Sequence, residues 1–77
     1  MKLTRLTELS YQDTIRRLKK LGFRFYRPGK GSHEVWVRDE DGRIIPVPHY
    51  KGKNILKGTV RAIIREIGTN VDEFFKL

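Results

Sequence analysis

Two histidines and a short glycine-rich turn are the parts of this sequence that could carry out chemistry. The turn, residues 27–31, holds Lys30 between two glycines, and His33 follows it at the predicted start of a β-strand. Glycine has no Cβ, so the backbone amides around Lys30 can approach a bound group closely. Lysine suits phosphate, and the unperturbed pKa of histidine suits proton transfer near neutral pH. The predicted phosphate-facing turn comprises Gly29, Lys30, Gly31 and Ser32.

Cleavage of RNA without a metal needs this combination of residues. A base removes the proton of a ribose 2′-OH, cations hold the scissile phosphate, and an acid protonates the departing 5′-oxygen. DNA lacks the 2′-OH, so such a site would act on RNA only. A solvated histidine at a strand end is the commoner case, and the residues alone leave both interpretations of His33 open.

Other site chemistries find little support in the sequence. The chain has no cysteine and only two histidines, which leaves no plausible zinc set. It contains no phosphate-binding P-loop, dinucleotide fingerprint or nucleophilic-serine signature. We therefore expect neither a metal nor a small-molecule cofactor.

The charge of the chain is large and uneven. The net charge is +8 over 77 residues, with +7 on residues 1–33, −2 on residues 34–50 and +3 on residues 51–77. A basic surface on so small a domain favours a polyanion such as nucleic acid, although a merely soluble surface is the alternative. The candidate phosphate contacts are Arg16, Lys19, Lys20, Lys30, Lys51, Lys53 and Lys57.

The length and composition predict one small domain over residues 1–77. No apolar run approaches the roughly 18 residues of a membrane span, and the N-terminus lacks the apolar centre of a signal peptide. The absence of cysteine is typical of a reducing compartment. We expect a soluble, cytoplasmic protein that does not bind membranes.

The first predicted helix follows residues 1–9, an N-terminal arm that shows no start signal and is expected to be either extended or a turn against the body. Ser10 is a typical N-cap, with Asp13 three residues on in a short version of the capping box. Gly22 supplies a C-terminal stop. The apolar stripe consists of Tyr11, Ile15, Leu18 and Leu21. Four bases fall mostly off it, as a solvated or phosphate-tracking face: Arg16, Arg17, Lys19 and Lys20.

Three strands are predicted next, over residues 23–27, 32–38 and 44–49. Pro46 and Pro48 cannot donate to a ladder, so the third strand should lie at an edge or be irregular. Gly42 suits the left-handed position of a three-residue hairpin loop.

That loop gives three pairs of opposite residues: Val37–Ile45, Val35–Val47 and His33–His49. We expect the β-branched side chains to meet on one face, because cross-strand apolar pairs specify register. The same register places His33 and His49 on one side of the hairpin end. The large aromatics are expected to be core or partner contacts rather than base-stacking platforms: Phe23, Phe25, Trp36, Phe74 and Phe75. The parity of Trp36 places it off the valine face.

A second main helix is predicted from a cap at Gly58 or Thr59 to Gly68, and Asn70 with Glu73 signals a short last helix. Its apolar stripe is Val60, Ile63, Ile64 and Ile67. The predicted fold is therefore α+β: helix, three-stranded antiparallel sheet, helix, with both main helices on one face of the sheet, plus a short C-terminal helix.

Several short motifs in this order resemble the HicA (YcfA-like) toxins, which are mRNA interferases of type II toxin–antitoxin systems. The motifs are Gly31-Ser32-His33, the Asp41-Gly42 turn, Val47-Pro48-His49, the run from Leu56 to Arg65, and the ending Val71-Asp72-Glu73-Phe74-Phe75. The resemblance covers residues 10–77. It implies a double-stranded-RNA-binding-domain-like fold, ribosome-independent cleavage of mRNA and a HicB-type antitoxin partner.

The same resemblance implies that His33 is the catalytic residue. The chemistry asks for both an acid and a base, and His49 is the candidate second group, with water or Lys30 as competitors. Two other functions remain possible on the sequence. One is a non-catalytic double-stranded RNA-binding module, which needs no histidine at residue 33. The other is a DNA-binding accessory protein, for which no helix carries base-reading Asn, Gln and Arg together.

Overall fold

The computed structural model describes residues 5–77, and its elements follow the predicted order. They are α1 (Tyr11–Lys20), β1 (Phe23–Pro28), β2 (His33–Arg38), β3 (Arg43–Pro48), α2 (Lys57–Ile67) and α3 (Val71–Lys76). The strands form one antiparallel sheet in the order β1-β2-β3, so β3 with its two prolines is an edge strand, as predicted. Within residues 5–77 no helix has the length and apolar character needed to cross a membrane.

Side-chain caps begin two of the three helices. The Ser10 hydroxyl accepts a hydrogen bond from the Asp13 amide at 3.0 Å, and the Asn70 side chain accepts one from the Glu73 amide at 2.9 Å. Both caps confirm the predicted helix starts, because each satisfies an amide that has no partner within its helix. Gly22 takes a φ of +91° just beyond α1, which only glycine adopts easily, and ends the helix.

Helix α2 begins earlier than the sequence indicates. The helix begins at Lys57, after an N-cap at Leu56 that makes no side-chain hydrogen bond. The Leu56 carbonyl accepts from the amides of Thr59 and Val60, both at 3.0 Å, so backbone bonds alone start this helix. The predicted caps at Gly58 and Thr59 therefore lie inside the first turn.

The loop between β2 and β3 has four residues rather than the predicted three. Arg38 pairs directly with Arg43, and the Gly42 amide donates to the Arg38 carbonyl at 2.8 Å. The Asp41 carboxylate accepts from the Arg38 guanidinium at 2.8 Å and from the Arg43 amide at 3.2 Å. These contacts close the longer loop, and the predicted pairing of valines is wrong as a result.

The longer loop changes which residues face the helices. Trp36 lies opposite Ile45, and both are buried, whereas Val35 and Val37 point to the other face of the sheet. The prediction that Trp36 lies off the core face is therefore wrong. An indole is the largest apolar side chain available to this face, so its burial outweighs the valine match.

The core lies between the sheet and both main helices. Its central members are fully or nearly fully buried: Leu18, Phe23, Trp36, Ile45, Val47, Val60, Ile63, Ile64, Ile67 and Phe74. One sheet face and the apolar stripes of α1 and α2 supply most of them, so both helices cover the same face, as predicted. Arg17 is an exception to the predicted solvated face of α1. It is buried and donates hydrogen bonds to the carbonyls of Phe74 and Asp13.

The described part of the N-terminal arm is attached to the body. Leu9 and Ile55 form an isolated antiparallel bridge, with hydrogen bonds of 3.1 and 2.7 Å, and both are buried. The Glu8 carboxylate accepts from the Asn54 side-chain amide at 2.8 Å. The arm therefore fixes the connector between β3 and α2. The part of the predicted arm in residues 1–4 lies outside the described residues.

Candidate functional site

Two backbone hydrogen bonds close the turn before β2. The His33 amide donates to the Lys30 carbonyl at 3.1 Å, and the Gly29 amide donates to the His33 carbonyl at 2.8 Å. Gly31 takes a φ of +62°, whereas Ser32 does not have a positive φ, which is the pattern of a type II′ turn. At residue 29, a Cβ would lie 3.1 Å from the His33 carbonyl oxygen, so a larger residue would fit only if the turn shifted by a few tenths of an ångström.

His33 is the first residue of β2 and its side chain is exposed. It lies opposite Pro48 in the ladder, and its ring meets the Tyr50 ring edge-on, with 6.4 Å between centroids and 78° between planes. A rigid strand end therefore presents the imidazole to solvent.

A cleft of about 860 Å³ opens beside His33. Its walls come from Glu8, from Ser32 and His33, from Pro48, from all of residues 50–56 and from Thr59. The cleft thus lies between the start of β2, the end of β3 and the start of α2. Such a cleft can hold a ligand larger than a single small ion.

Two of the predicted phosphate-binding lysines, Lys51 and Lys53, line this cleft together with Ser32. Lys30 and Lys57 are exposed and close in sequence to residues of the cleft, but they do not line it. The structure therefore gathers one histidine, two ammonium groups and the hydroxyls of Ser32, Tyr50 and Thr59 at one opening.

The predicted basic residues of α1 lie elsewhere. Lys19 and Lys20 are in the last turn of α1, about 13 Å along the helix axis from Tyr11. Tyr11 lines a smaller pocket that shares Tyr50, Lys53 and Asn54 with the cleft. Arg16 is exposed and donates to the Leu77 carbonyl at 3.2 Å. These three cations belong to a different part of the surface from the cleft.

His49 belongs to a hydrogen-bonded cluster centred on Glu34 that the sequence interpretation missed. Glu34 accepts from the Tyr11 hydroxyl at 2.6 Å and from the Trp36 indole at 3.0 Å, and His49 Nδ1 lies 3.1 Å from its second oxygen. The rings of Tyr11 and His49 are stacked, with 3.6 Å between centroids and 7° between planes. The strand period offers one signal of this cluster in the sequence. Glu34 lies two residues before Trp36, so both side chains point to the same face of β2, which is the core face.

The cluster changes the acidity of two members. Burial acts to raise the pKa of Glu34, but the hydrogen bonds from Tyr11, Trp36 and His49 together outweigh it and hold the pKa below its usual range. Burial first, then the hydrogen bond to Glu34 and the carboxylate charge, raise the pKa of the Tyr11 phenol. Glu34 is therefore ionised and Tyr11 neutral near neutral pH.

The two histidines do not lie on the same side of the hairpin. His33 is opposite Pro48, and His49, the next residue after Pro48, points to the other face. The His49 amide continues the ladder by donating to the Ser32 carbonyl at 2.9 Å. The prediction of a shared side is wrong, because it depended on the three-residue loop.

Fold and site together define a small basic α+β domain with a histidine and two lysines at one cleft. The model of a protein family described as the HicA toxin of bacterial toxin–antitoxin matches residues 11–69, from the start of α1 to just beyond α2. The chain belongs to the HicA toxin family. No curated protein and no solved structure matches it. Within residues 5–77, no three histidine, aspartate or glutamate side chains gather into a group that could hold a metal ion.

Proposed function

We propose that this HicA family member is a ribosome-independent mRNA interferase, the toxin of a type II system, and that a HicB-type antitoxin neutralises it. One observation carries the proposal. An exposed histidine on a rigid strand end stands at a cleft that also presents Lys51 and Lys53. Proton transfer and phosphate binding are the two functions that RNA cleavage requires.

In the proposed reaction the ribose 2′-oxygen loses its proton to a base and bonds to phosphorus. The bond from phosphorus to the 5′-oxygen breaks, and an acid protonates that oxygen. His33 carries the proton at one of these steps, as general base or general acid. Lys51 and Lys53 hold the charge that develops on the phosphate, and the turn with Lys30 supplies amides and a third cation.

The second proton transfer has three candidates, which are His49, water and Lys30. His49 is engaged with Tyr11 and Glu34 and points away from the face of His33. We therefore assign the second transfer to water or Lys30, and we assign His49 to the attachment of α1 to the hairpin.

The test is a cleavage assay with end-labelled RNA in excess chelator, using wild type, His33→Ala and His49→Ala. Loss of a general acid–base group lowers the rate by about 10²–10⁴-fold, so we expect that loss for His33→Ala. Since His33 is exposed, its removal should change stability by no more than about 0.5 kcal/mol. A smaller rate effect is expected for His49→Ala once it is measured below its melting temperature.

Two outcomes would reject the proposal. A His33→Ala protein that melts like wild type and cleaves at the full rate would remove His33 from the reaction. A wild-type protein that binds RNA without cleaving it would instead favour the non-catalytic double-stranded RNA-binding module.

The antitoxin partner is tested separately by growth. We expect expression of the chain to arrest cells, and co-expression of the small reading frame next to its gene to restore growth. The His33→Ala protein should not arrest growth but should still co-purify with the antitoxin. Growth arrest that persists in His33→Ala would contradict a cleavage-based toxicity.

A further inference from the structure

Tyr50 is an exposed aromatic side chain at the cleft that the proposed reaction does not use. It is 47 % exposed and follows β3 directly after His49. No other Phe, Tyr or Trp of residues 5–77 lines this cleft. The other markedly exposed ones, Phe25 and Tyr26, lie on β1 outside the lining.

The backbone holds Tyr50 in place. The Lys53 amide donates to the Tyr50 carbonyl at 3.0 Å, and Gly52 has a φ of +72°, which together close a turn over residues 50–53. Beyond the turn, Asn54 is bonded to Glu8 and Ile55 is bridged to the arm. A platform that is already ordered loses little conformational entropy when it binds a ligand.

Tyr50 is exposed, and a single T-shaped contact leaves at least one face of its ring uncovered by the His33 ring. Its described ring contact is the edge-on contact with His33, at 78° between planes, and no ring of residues 5–77 is stacked parallel on it. By contrast, the Tyr11 ring is already occupied by His49. Because the two ring centroids are 6.4 Å apart, a flat ligand stacked on Tyr50 would lie in the neighbourhood of the imidazole.

The surrounding charge and chemistry select the ligand. Lys51 and Lys53 line the cleft with the tyrosine, and Pro48, Ile55 and Leu56 supply apolar wall. The carboxylate in the lining, Glu8, accepts a hydrogen bond from Asn54. Cations next to an aromatic platform and an apolar wall are the combination that binds unpaired nucleotides, with bases stacked and phosphates on lysines. A paired base presents only its edges in the grooves and has no free face for such a platform.

We propose that Tyr50 is the base-stacking residue of this site and holds the nucleotide next to the scissile phosphate. The proposal rests on the proposed RNA cleavage at His33. It adds that the substrate is unpaired at this nucleotide and that Tyr50 places its ribose and phosphate against the imidazole. Tyr50 acts by its ring face, so its hydroxyl is dispensable.

The binding experiment uses the His33→Ala protein, so that it does not depend on cleavage. A single-stranded RNA carrying a fluorescent adenine analogue is titrated against four proteins: this background alone, and with Tyr50→Ala, Tyr50→Phe or the control Tyr26→Ala. Tyr26 is a matched control, because it is 53 % exposed but lies outside the cleft. Melting curves establish that all four are folded.

We expect Tyr50→Ala to weaken binding by about 5- to 150-fold and to abolish the fluorescence change that stacking causes. Tyr50→Phe should bind within about 3-fold of its parent, because it keeps the stacking face. Tyr26→Ala should match the parent. Duplex RNA of the same sequence should bind equally well to the Tyr50→Ala protein and to its His33→Ala parent.

Three results would overturn the proposal: unchanged binding by Tyr50→Ala, an equal loss for Tyr50→Phe, or an equal loss on the duplex. Failure of the proposed cleavage is a separate result, since it would appear as an inactive wild-type protein whatever Tyr50 does in the binding assay. In the cleavage assay, the Tyr50→Ala change in the wild-type background should raise KM more than it lowers kcat.

Discussion

Replacing Glu34 with alanine should loosen the attachment of α1 to the hairpin. The carboxylate is 19 % exposed and receives hydrogen bonds from Tyr11 on α1, Trp36 on β2 and His49 after β3. Glu34→Ala leaves these donors without their acceptor. The buried side chains of residues 5–77 contain no unpaired nitrogen or oxygen, so this variant introduces a defect that the native fold avoids.

The three lost contacts differ in value. Trp36 is 2 % exposed, so its unpaired indole N–H costs about 1–3 kcal/mol. Tyr11 is partly buried and can turn toward water, which limits its loss to about 1 kcal/mol. His49 is 45 % exposed, so its contact with Glu34 contributes roughly 0–1 kcal/mol. Together we expect a loss of about 2–5 kcal/mol, and a Tm lower by roughly 8–40 °C in a domain of this size.

The loss should depend on pH in a defined direction. The pKa of Glu34 in the folded state is below its ordinary value of 4.5. A carboxyl group with a lowered folded pKa contributes stability that is present above the unfolded pKa and lost as pH falls through the folded one. The difference between wild type and Glu34→Ala should therefore be full at pH 7 and shrink steadily below about pH 4.5.

Urea unfolding at several pH values measures this difference directly. Asp39 and Asp41 also have lowered pKa values, the second about 2, because of hydrogen bonds from arginines, but they contribute to both proteins and cancel in the comparison. The control is Glu40→Ala in the hairpin loop, an exposed position where we expect a change within about 0.5 kcal/mol. The reasoning fails if Glu34→Ala is as stable as Glu40→Ala, or if its deficit is the same at pH 3.5 and pH 7.

Four smaller predictions concern the turn, α2 and the cleft. Gly29→Ala should lower the cleavage rate, because the new Cβ would press on the His33 carbonyl; a cleavage rate equal to that of wild type would contradict this. Gly31→Ala meets open space but strains a φ of +62°, so urea unfolding should show a loss of about 1 kcal/mol rather than none. Gly58→Ala, in the first turn of α2 and with open space around it, should stabilise by about 0.5–1 kcal/mol, and a loss would indicate an unseen contact. RNA affinity should fall steeply with salt, and Lys51→Ala should reduce the slope of log Kd against log salt by about 1, whereas a flat dependence would exclude phosphate contacts.

Local chemistry was enough to predict the order of elements. Ser10 and Asn70 act as caps through bonds to amides three residues away, and Gly22 and Gly42 take the left-handed backbone expected of them. The same holds for the turn before His33, whose hydrogen bonds span only a few residues. Such features depend on neighbours in sequence, so a sequence pattern is sufficient to find them.

The hairpin register was not predictable in this way. The predicted three-residue loop (residues 40–42) and the observed four-residue loop (residues 39–42) both end at Gly42, and the valines match well in the shorter one. The longer loop is favoured by burial of Trp36 against the core, which involves the rest of the fold, and by the local hydrogen bonds that Arg38 and Arg43 donate to Asp41. Neither contribution is visible in the spacing of apolar residues.

The sequence by itself determined that a basic domain with two helices over a three-stranded sheet presents His33 after a glycine turn. Only the tertiary structure decided what surrounds each histidine: Tyr50 and the lysine cleft for His33, and Tyr11 with Glu34 for His49. The physical reason is the two-residue period of a strand. A shift of one residue in the pairing moves every side chain of one strand to the opposite face of the sheet. One additional loop residue is therefore enough to place the two histidines on opposite faces.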